Sequence, residues 1–507
     1  MDNYVAQKWT KDIVSSYSVP TTLHPWQEDS IRFVIEGESV ALCVPTGAGK
    51  TLPQLAASLF FSEGVAIVIP PLISIENQLE RVCAEWNIPY LNISSLSKDE
   101  IMTSVTSSEV KIVIASIEQI SDVAVQKAIR NLKVNYISVD ECQVMDSENG
   151  WTSFRPYVPL TWNFLRANYK APFLLCSATM EDVSLNRIFD SLSIHRSKVK
   201  ILYKSPDRAN IYQQLRVHSV TLDVGNIDQF LGFVLPIIAD SAFSKCQIFS
   251  TSKHINDMVA AWLKMELETL NIASLRSGMV EKLSGDNSKG EKLRVMERFK
   301  SGECKILVST DVAGMGTDVP GLNLVINLGV PKTPWKFLQQ CGRAGREGQS
   351  SVAVTIKFPV KGRCAPEACI KNALSEDECL RVKTNNLFMI DGFKDYTNRS
   401  ERFECMQIGC DVLEMCDCEA CTCCSTCTNL CPCVTACKDP DSVLKGLLEL
   451  GDANYSRILQ GVKSRKKVEE SDTESCLESD SEEERVDELE LSLVDLTPQF
   501  ASLLSDY

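Results

Sequence analysis

The chain of 507 residues contains no apolar run approaching the ~20 residues that a membrane-spanning helix needs. Its first residues, Met1, Asp2, Asn3 and Tyr4, open no apolar signal region, so the expectation is a soluble intracellular protein with no membrane partner. Histidine is scarce, four in all, and none lies between residues 361 and 437, where cysteine is densest; a metal site there has only sulfur to draw on. No internal repeat at solenoid spacing is present, which excludes a stacked array. Basic residues are outnumbered, 52 Lys and Arg against 67 Asp and Glu, for a net charge of -15. That balance disfavours a polyanionic partner until it is located. Residues 469–507 hold 14 Asp or Glu and one basic residue, Arg485, which leaves only -2 for everything before them. The body is close to neutral, so overall acidity does not exclude nucleic acid.

Cysteine is what the chain has in plenty. Of 22, 11 lie between Cys405 and Cys437. Without an export signal the scattered ones read as reduced core thiols, and the dense group reads as metal-binding. The 44% apolar content is ordinary for globular proteins, and the length suits roughly three domains.

Short β-rich runs alternate with helix-length stretches over most of the chain. The first series is 39–44, 65–69, 110–114, 136–139 and 173–176; the second is 246–249, 272–275, 305–308, 324–327 and 352–356. Such alternation predicts an α/β protein of two tandem, doubly wound parallel-sheet lobes with a hinge near 204–210. The expected division is an N-terminal extension of no strong period over 1–20, a first lobe over 21–203 and a second over 204–360. A cysteine-rich zinc-binding helical domain over 361–437 follows, then short helices and an acidic disordered tail over 438–507.

Pro45-Thr46-Gly47-Ala48-Gly49-Lys50-Thr51 sits between the apolar run 40–44 and a helical stretch over 52–61. Val44 stands where the strict G-x-x-x-x-G-K-[ST] motif has its first glycine, leaving the shorter variant. In it Gly47 and Gly49 let backbone N–H groups curl around phosphate, Lys50 reaches the β- and γ-phosphates, and Thr51 ligates Mg2+. Residues Thr46 to Thr51 thus read as a cradle for ATP. The run 136–139 ends in Asp140 and Glu141, an acid suited to holding Mg2+ through water and a carboxylate suited to orienting an attacking water. An isolated Asp-Glu pair is usually an exposed acidic turn; a buried-type strand before it and a phosphate loop upstream favour chemistry. Ser177-Ala178-Thr179 closes the next strand candidate.

In this order the motifs resemble superfamily-two helicases, and within them the RecQ family of ATP-dependent DNA helicases. His24-Pro25-Trp26-Gln27 resembles the family's first motif, whose glutamine reads adenine, with His24 in place of the usual arginine. Pro70-Pro71-Leu72-Ile73-Ser74 with Gln78 resembles the next. Trp151-Thr152-Ser153-Phe154-Arg155-Pro156-Tyr157 is similar to the aromatic-rich loop that couples DNA binding to hydrolysis, which implies DNA-binding roles for Trp151, Phe154 and Arg155. Without the family match these aromatics read as core residues; with it, as a platform for unpaired bases. In the second half Ser205-Pro206-Asp207-Arg208-Ala209-Asn210 resembles the interlobe segment, and residues 309–318 motif V. Gln339-Gln340-Cys341-Gly342-Arg343-Ala344-Gly345-Arg346 resembles motif VI, in which Arg343 and Arg346, on a helix start, stabilise charge on the γ-phosphate. Family members usually carry Asp-Glu-Ala-His where this chain has Asp140-Glu141-Cys142-Gln143; Gln143 still hydrogen-bonds between the ATP and DNA sites.

The resemblance implies a zinc domain after the second lobe whose first ligand precedes a basic helix. Cys379-Leu380-Arg381 fits, and the ligand set is Cys379, Cys405, Cys418 and Cys421, with Cys410 and Cys416 as substitutes. Cys423 to Cys437 have no counterpart; a second Zn2+ or a polar, oxidisable linker both suit them, and an iron–sulfur cluster is the alternative to zinc. The winged-helix and further helical DNA-binding modules of many members are not expected in this sequence. The implied activity is 3′ to 5′ translocation on single-stranded and forked DNA in repair, recombination or replication. Two alternatives stay open: a weakened helicase fold kept as a DNA-binding scaffold, and an RNA-directed helicase. Lys463 to Lys467 suggests nuclear import, and Leu493-Val494-Asp495-Leu496-Thr497 resembles a SUMO-interacting motif, the plain reading being an acidic tail.

Overall fold

The computed structural model describes residues 4–71, 73–96, 100–101, 109–148, 157–240, 243–270, 277–311, 319–360, 365–395, 423–430 and 440–448. These fall into two compact units. One takes the described residues up to 209 with 331–342 and 366–395; the other takes 210–330, 343–365 and those from 423 onward.

The first unit is built on a sheet of eight strands: β1 (Ser39–Cys43), β2 (Val65–Ile69), β3 (Tyr90–Asn92), β4 (Ile112–Ile114), β5 (Val134–Val139), β6 (Phe173–Ser177), β7 (Val199–Tyr203) and the short Lys394–Asp395. Their order is Lys394–Asp395, β7, β1, β6, β5, β2, β4, β3, and every pairing is parallel. β2, Val-Ala-Ile-Val-Ile, is buried along its whole length, the apolar pattern of a strand covered on both faces. The second unit holds six parallel strands: β8 (Ile211–Val217), β9 (Lys245–Ser250), β10 (Val280–Leu283), β11 (Ile306–Ser309), β12 (Leu322–Leu328) and β13 (Ser351–Lys357), in the order β10, β11, β9, β12, β13, β8.

The expected pair of parallel-sheet lobes is therefore present, with additions. β3, β7, β8 and β10 were not among the sequence-derived strand runs, and the run at 272–275 lies outside the described residues. The first 20 residues are not featureless: Tyr4–Lys8, a π-helical turn over Trp9–Ile13 and Val14–Ser16 form a helical segment. Val5, Trp9 and Ile13 are buried in the first unit's core, and the Trp9 ring stacks on Phe60 at 6.4 Å while its Nε1 donates to the Pro20 carbonyl at 3.0 Å. In the second unit the helix Pro440–Leu447 packs against β13 and adds Leu444 to the core.

Candidate active site

Strand order decides where the chemistry gathers. β6 lies between β1 and β5, and parallel strands end on the same side, so the residues that follow β1, β5 and β6 emerge next to one another. Those residues are the phosphate-loop candidate, the Asp-Glu pair and Ser177-Ala178-Thr179.

The loop after β1 turns through Gly47 at φ +81 and Gly49 at φ +95, angles that favour glycine. At Gly49 there is also no room, since an added Cβ would meet Gln27 Nε2 at 2.9 Å. Gln27 is buried, its Nε2 donating to the Gly49 carbonyl at 3.1 Å and its Oε1 accepting from the His24 N–H at 2.8 Å. The amide that the resemblance assigns to adenine thus ties the start of helix Pro25–Ile35 to the loop. Thr46 and Gly47 are exposed and Ala48 is half-buried. Lys50 Nζ donates to the carbonyls of Val44 and Pro45 at 3.1 Å each, which holds the ammonium over the loop. Thr51 opens the helix Thr51–Ala56.

β5 delivers Asp140 and Glu141. Burial, then the neighbouring Glu141 carboxyl, push Asp140 up to about 6, while Lys50 and a hydrogen bond from Gln54 pull the other way. Gln54 Nε2 donates to Asp140 Oδ1 at 3.0 Å. Glu141 occupies the left-handed region at φ 47, a costly conformation for a residue with a side chain. Its carboxylate collects two amides: Gln143 Nε2 at 2.6 Å and Gln339 Nε2 at 3.2 Å. Gln143 is buried and its Oε1 accepts from Ser177 Oγ at 2.6 Å, while Ser177 Oγ accepts from the Thr179 N–H at 3.1 Å. Gln339 also donates to Thr179 Oγ1 at 3.4 Å. The Gln143 amide therefore joins the Asp-Glu motif to Ser177-Ala178-Thr179, donating at one end and accepting at the other. Gln54 and Gln339 were absent from the expected site; the signal for Gln339 was its place at the head of motif VI, and nothing in the sequence singled out Gln54.

Asn210 of the second unit ends the interlobe segment and donates from Nδ2 to the carbonyls of Gly345 and Gln349 at 2.8 Å each. Gly345, at φ +64, packs so closely there that an added Cβ would stand 2.4 Å from that nitrogen. Two segments that the sequence marked separately thus fix one turn. Arg343 and Arg346 lie in this turn, and not on a helix start as expected: helix Pro334–Cys341 ends at Gly342. Arg343 is buried and Arg346 half-buried.

Cys379 caps the helix Leu380–Asn386, and Arg381 on that helix forms a buried ion pair with Asp207 at 2.7 Å. Residues 423–430 run along β8, the edge of the second sheet. Gln213 donates its N–H to the Cys423 carbonyl at 3.3 Å, and the Leu215 N–H reaches Ser425 Oγ at 3.0 Å. Cys423, Cys424 and Cys427 are buried there, so these three are no polar linker. Cys379 in the first unit, and Cys423, Cys424 and Cys427 in the second, are buried thiols of a cysteine-rich stretch compatible with zinc binding. Cys405, Cys410, Cys416, Cys418 and Cys421 lie outside the described residues, as do Trp151, Phe154, Arg155, residues 312–318 and everything from 449 onward.

Residues 24–188 match the family model of the DEAD/DEAH box helicases, and residues 231–348 that of the helicase conserved C-terminal domain. The chain carries the domain pair of a superfamily-two helicase. Among curated relatives of this pair, ATP-dependent DNA helicase Q-like 5 of Arabidopsis thaliana is 26% identical over 332 residues, 64% of this chain and 34% of that protein. ATP-dependent RNA helicase ROK1 of Eremothecium gossypii is 25% identical over 389 residues, 72% of this chain and 63% of that protein. The chain thus spans about a third of the first relative and under two thirds of the second. A solved structure of Mss116p bound to single-stranded RNA and AMP-PNP aligns over 78% of both chains with a TM-score of 0.56 and 18% identity, which gives this helicase pair its fold, two RecA-like lobes. Among the described residues no helix is long and apolar enough to cross a membrane.

Proposed function

We propose that the protein is an ATP-dependent DNA helicase of RecQ type, moving 3′ to 5′ on single-stranded DNA. The observation that carries the ATPase part is the bonded set at the ends of β1, β5 and β6: Lys50 over a glycine loop, Asp140 held by Gln54, and Glu141 held by Gln143 and Gln339. These residues fit Mg2+-ATP, with positive-φ glycines to cradle phosphate and two adjacent carboxylates for the cation and the water. Arg343 and Arg346 are the arginines that would stabilise charge on the γ-phosphate. The DNA part is supported by the Arabidopsis relative and by the cysteine-rich stretch that follows the helicase domains. The ROK1 relative, equally similar, supports the competing reading, an RNA helicase.

Direction is tested with duplexes carrying a single-stranded tail at one end. The 3′-tailed DNA is separated in an ATP-dependent way and the 5′-tailed one is not; the reverse, or separation of RNA alone, rejects the proposal. Zinc, held by cysteines of the stretch from Cys379 to Cys427, is expected at one ion per chain by mass spectrometry of protein purified without chelator. Absence of zinc from active protein removes this part.

The raised pKa of Asp140 gives a pH prediction with a definite sign. Ionising this buried acid costs stability, a cost that sets in as pH rises from the ordinary carboxylate value towards about 6. Catalysis needs the ionised form, so kcat/KM for ATP falls as pH drops through about 6. A profile flat down to pH 5 would exclude Asp140 as the acid that matters.

A further inference from the structure

Gln54, on the phosphate-loop helix, is bonded both to β5 and to Asp140, which follows that strand. Its side chain is 1% exposed. Its Nε2 donates to Asp140 Oδ1 at 3.0 Å, and its backbone carbonyl accepts from the Tyr136 hydroxyl at 2.7 Å. Tyr136 belongs to β5, four residues before Asp140, so strand and helix are fixed to one another on both sides of the acid. The remaining polar atom, Gln54 Oε1, is buried and has no hydrogen-bond donor among the described residues. A buried acceptor without a donor is costly, and such groups are kept where a ligand or a water completes them.

We propose that Gln54 is a positioning residue for the cation: its Nε2 orients the Asp140 carboxylate, and its Oε1 accepts a hydrogen bond from a water on the nucleotide-bound Mg2+. This rests on the reading of Asp140 as the metal-side acid. A primary amide alone among the uncharged side chains of this length offers one donor and one acceptor at once. Glutamate at position 54 would set a third carboxylate beside Asp140 and Glu141, and leucine would leave Asp140 Oδ1 without its partner. Lys50 supplies the neighbouring positive charge but bonds the Val44 and Pro45 carbonyls, so it does not do the work of the amide.

The test uses the full chain and its Gln54→Leu variant. Binding of Mn2+ with ADP, read by loss of the free Mn2+ signal in electron paramagnetic resonance, is compared with binding of ADP in chelator. The Mg2+ concentration for half-maximal ATP hydrolysis is measured beside them. The proposal expects Mn2+ binding to weaken and the Mg2+ requirement to rise, each by about ten-fold or more, the scale of a hydrogen bond to a charged group. ADP binding in chelator stays unchanged. Gln54→Met, which keeps the length of the side chain, serves if leucine lowers the melting temperature. Unchanged Mn2+ binding in a folded variant overturns the proposal and leaves the ATPase reading standing. A wild-type chain that binds neither Mn2+ with ADP nor ADP alone overturns both.

Discussion

Replacing Lys50 by alanine lowers nucleic-acid-stimulated ATP hydrolysis by at least about 100-fold, the cost of removing one preorganised charged donor from a phosphoryl-transfer site. The reasoning is local. Lys50 Nζ is held by two loop carbonyls, Val44 and Pro45, on the turn whose Gly47 and Gly49 adopt the left-handed angles of a phosphate cradle. The same ammonium opposes the rise in the Asp140 pKa, so its loss also disfavours the ionised acid. The fold is not at stake, because two hydrogen bonds on a half-buried side chain contribute only about 1 kcal/mol each. A steady-state assay with saturating single-stranded DNA, beside a thermal melt, separates the effects. Full hydrolysis in a folded Lys50→Ala protein would remove the phosphate loop from the account.

Glu141→Gln has the second large effect. The carboxylate is placed by a left-handed backbone and by the amides of Gln143 and Gln339. Glutamine fills the same volume and still accepts from both amides, so nucleotide binding and the melting temperature persist. Hydrolysis falls by about 100-fold to 10,000-fold, the range for loss of a general base. Single-turnover kinetics with bound ATP report that step alone. Near-normal turnover would make Glu141 a structural acceptor for the two glutamines, and the scaffold alternative would gain the ground.

Much of this site was legible in the sequence because its parts are short motifs at the ends of apolar strands. β1, β2, β5 and β6 are nearly continuous runs of buried residues, and such runs announce themselves. β8, Ile-Tyr-Gln-Gln-Leu-Arg-Val, does not, because it is an edge strand interrupted by Gln213 and Gln214 and is completed by residues 423–430, which are far away in sequence. The N-terminal helices went unseen although Val5, Trp9 and Ile13 repeat every four residues; the π-helical turn over Trp9–Ile13 shifts that spacing away from 3.6. The cysteine choice turned on C-x2-C spacing at Cys418 and Cys421, and Cys424-Ser425-Thr426-Cys427 has the same spacing. Spacing alone does not rank the two pairs; Cys424 and Cys427 are buried, and Cys418 and Cys421 lie outside the described residues. The links Gln54 to Asp140 and Gln339 to Glu141 in the first unit, and Asn210 to Gly345 in the second, span 86, 198 and 135 residues and have no sequence signature.

His24 and Gln143, the two departures from the family pattern, also find a place. His24 lends its backbone N–H to Gln27, and its ring stacks on Trp26 at 6.1 Å. Gln143 performs by amide what a histidine would do with two ring nitrogens, with the difference that it does not titrate. Coupling between Glu141 and Ser177 is therefore independent of pH at this residue, which leaves Asp140 as the group expected to set the acid limb.

The central claim is that ATP hydrolysis in this protein is driven by DNA. It is tested most directly by the ATPase rate of the full chain measured in parallel with single-stranded DNA, duplex DNA and single-stranded RNA at equal nucleotide concentration. The account predicts strong stimulation by single-stranded DNA, weaker stimulation by duplex and little by RNA. Stimulation by RNA alone, or hydrolysis indifferent to all three, would contradict it.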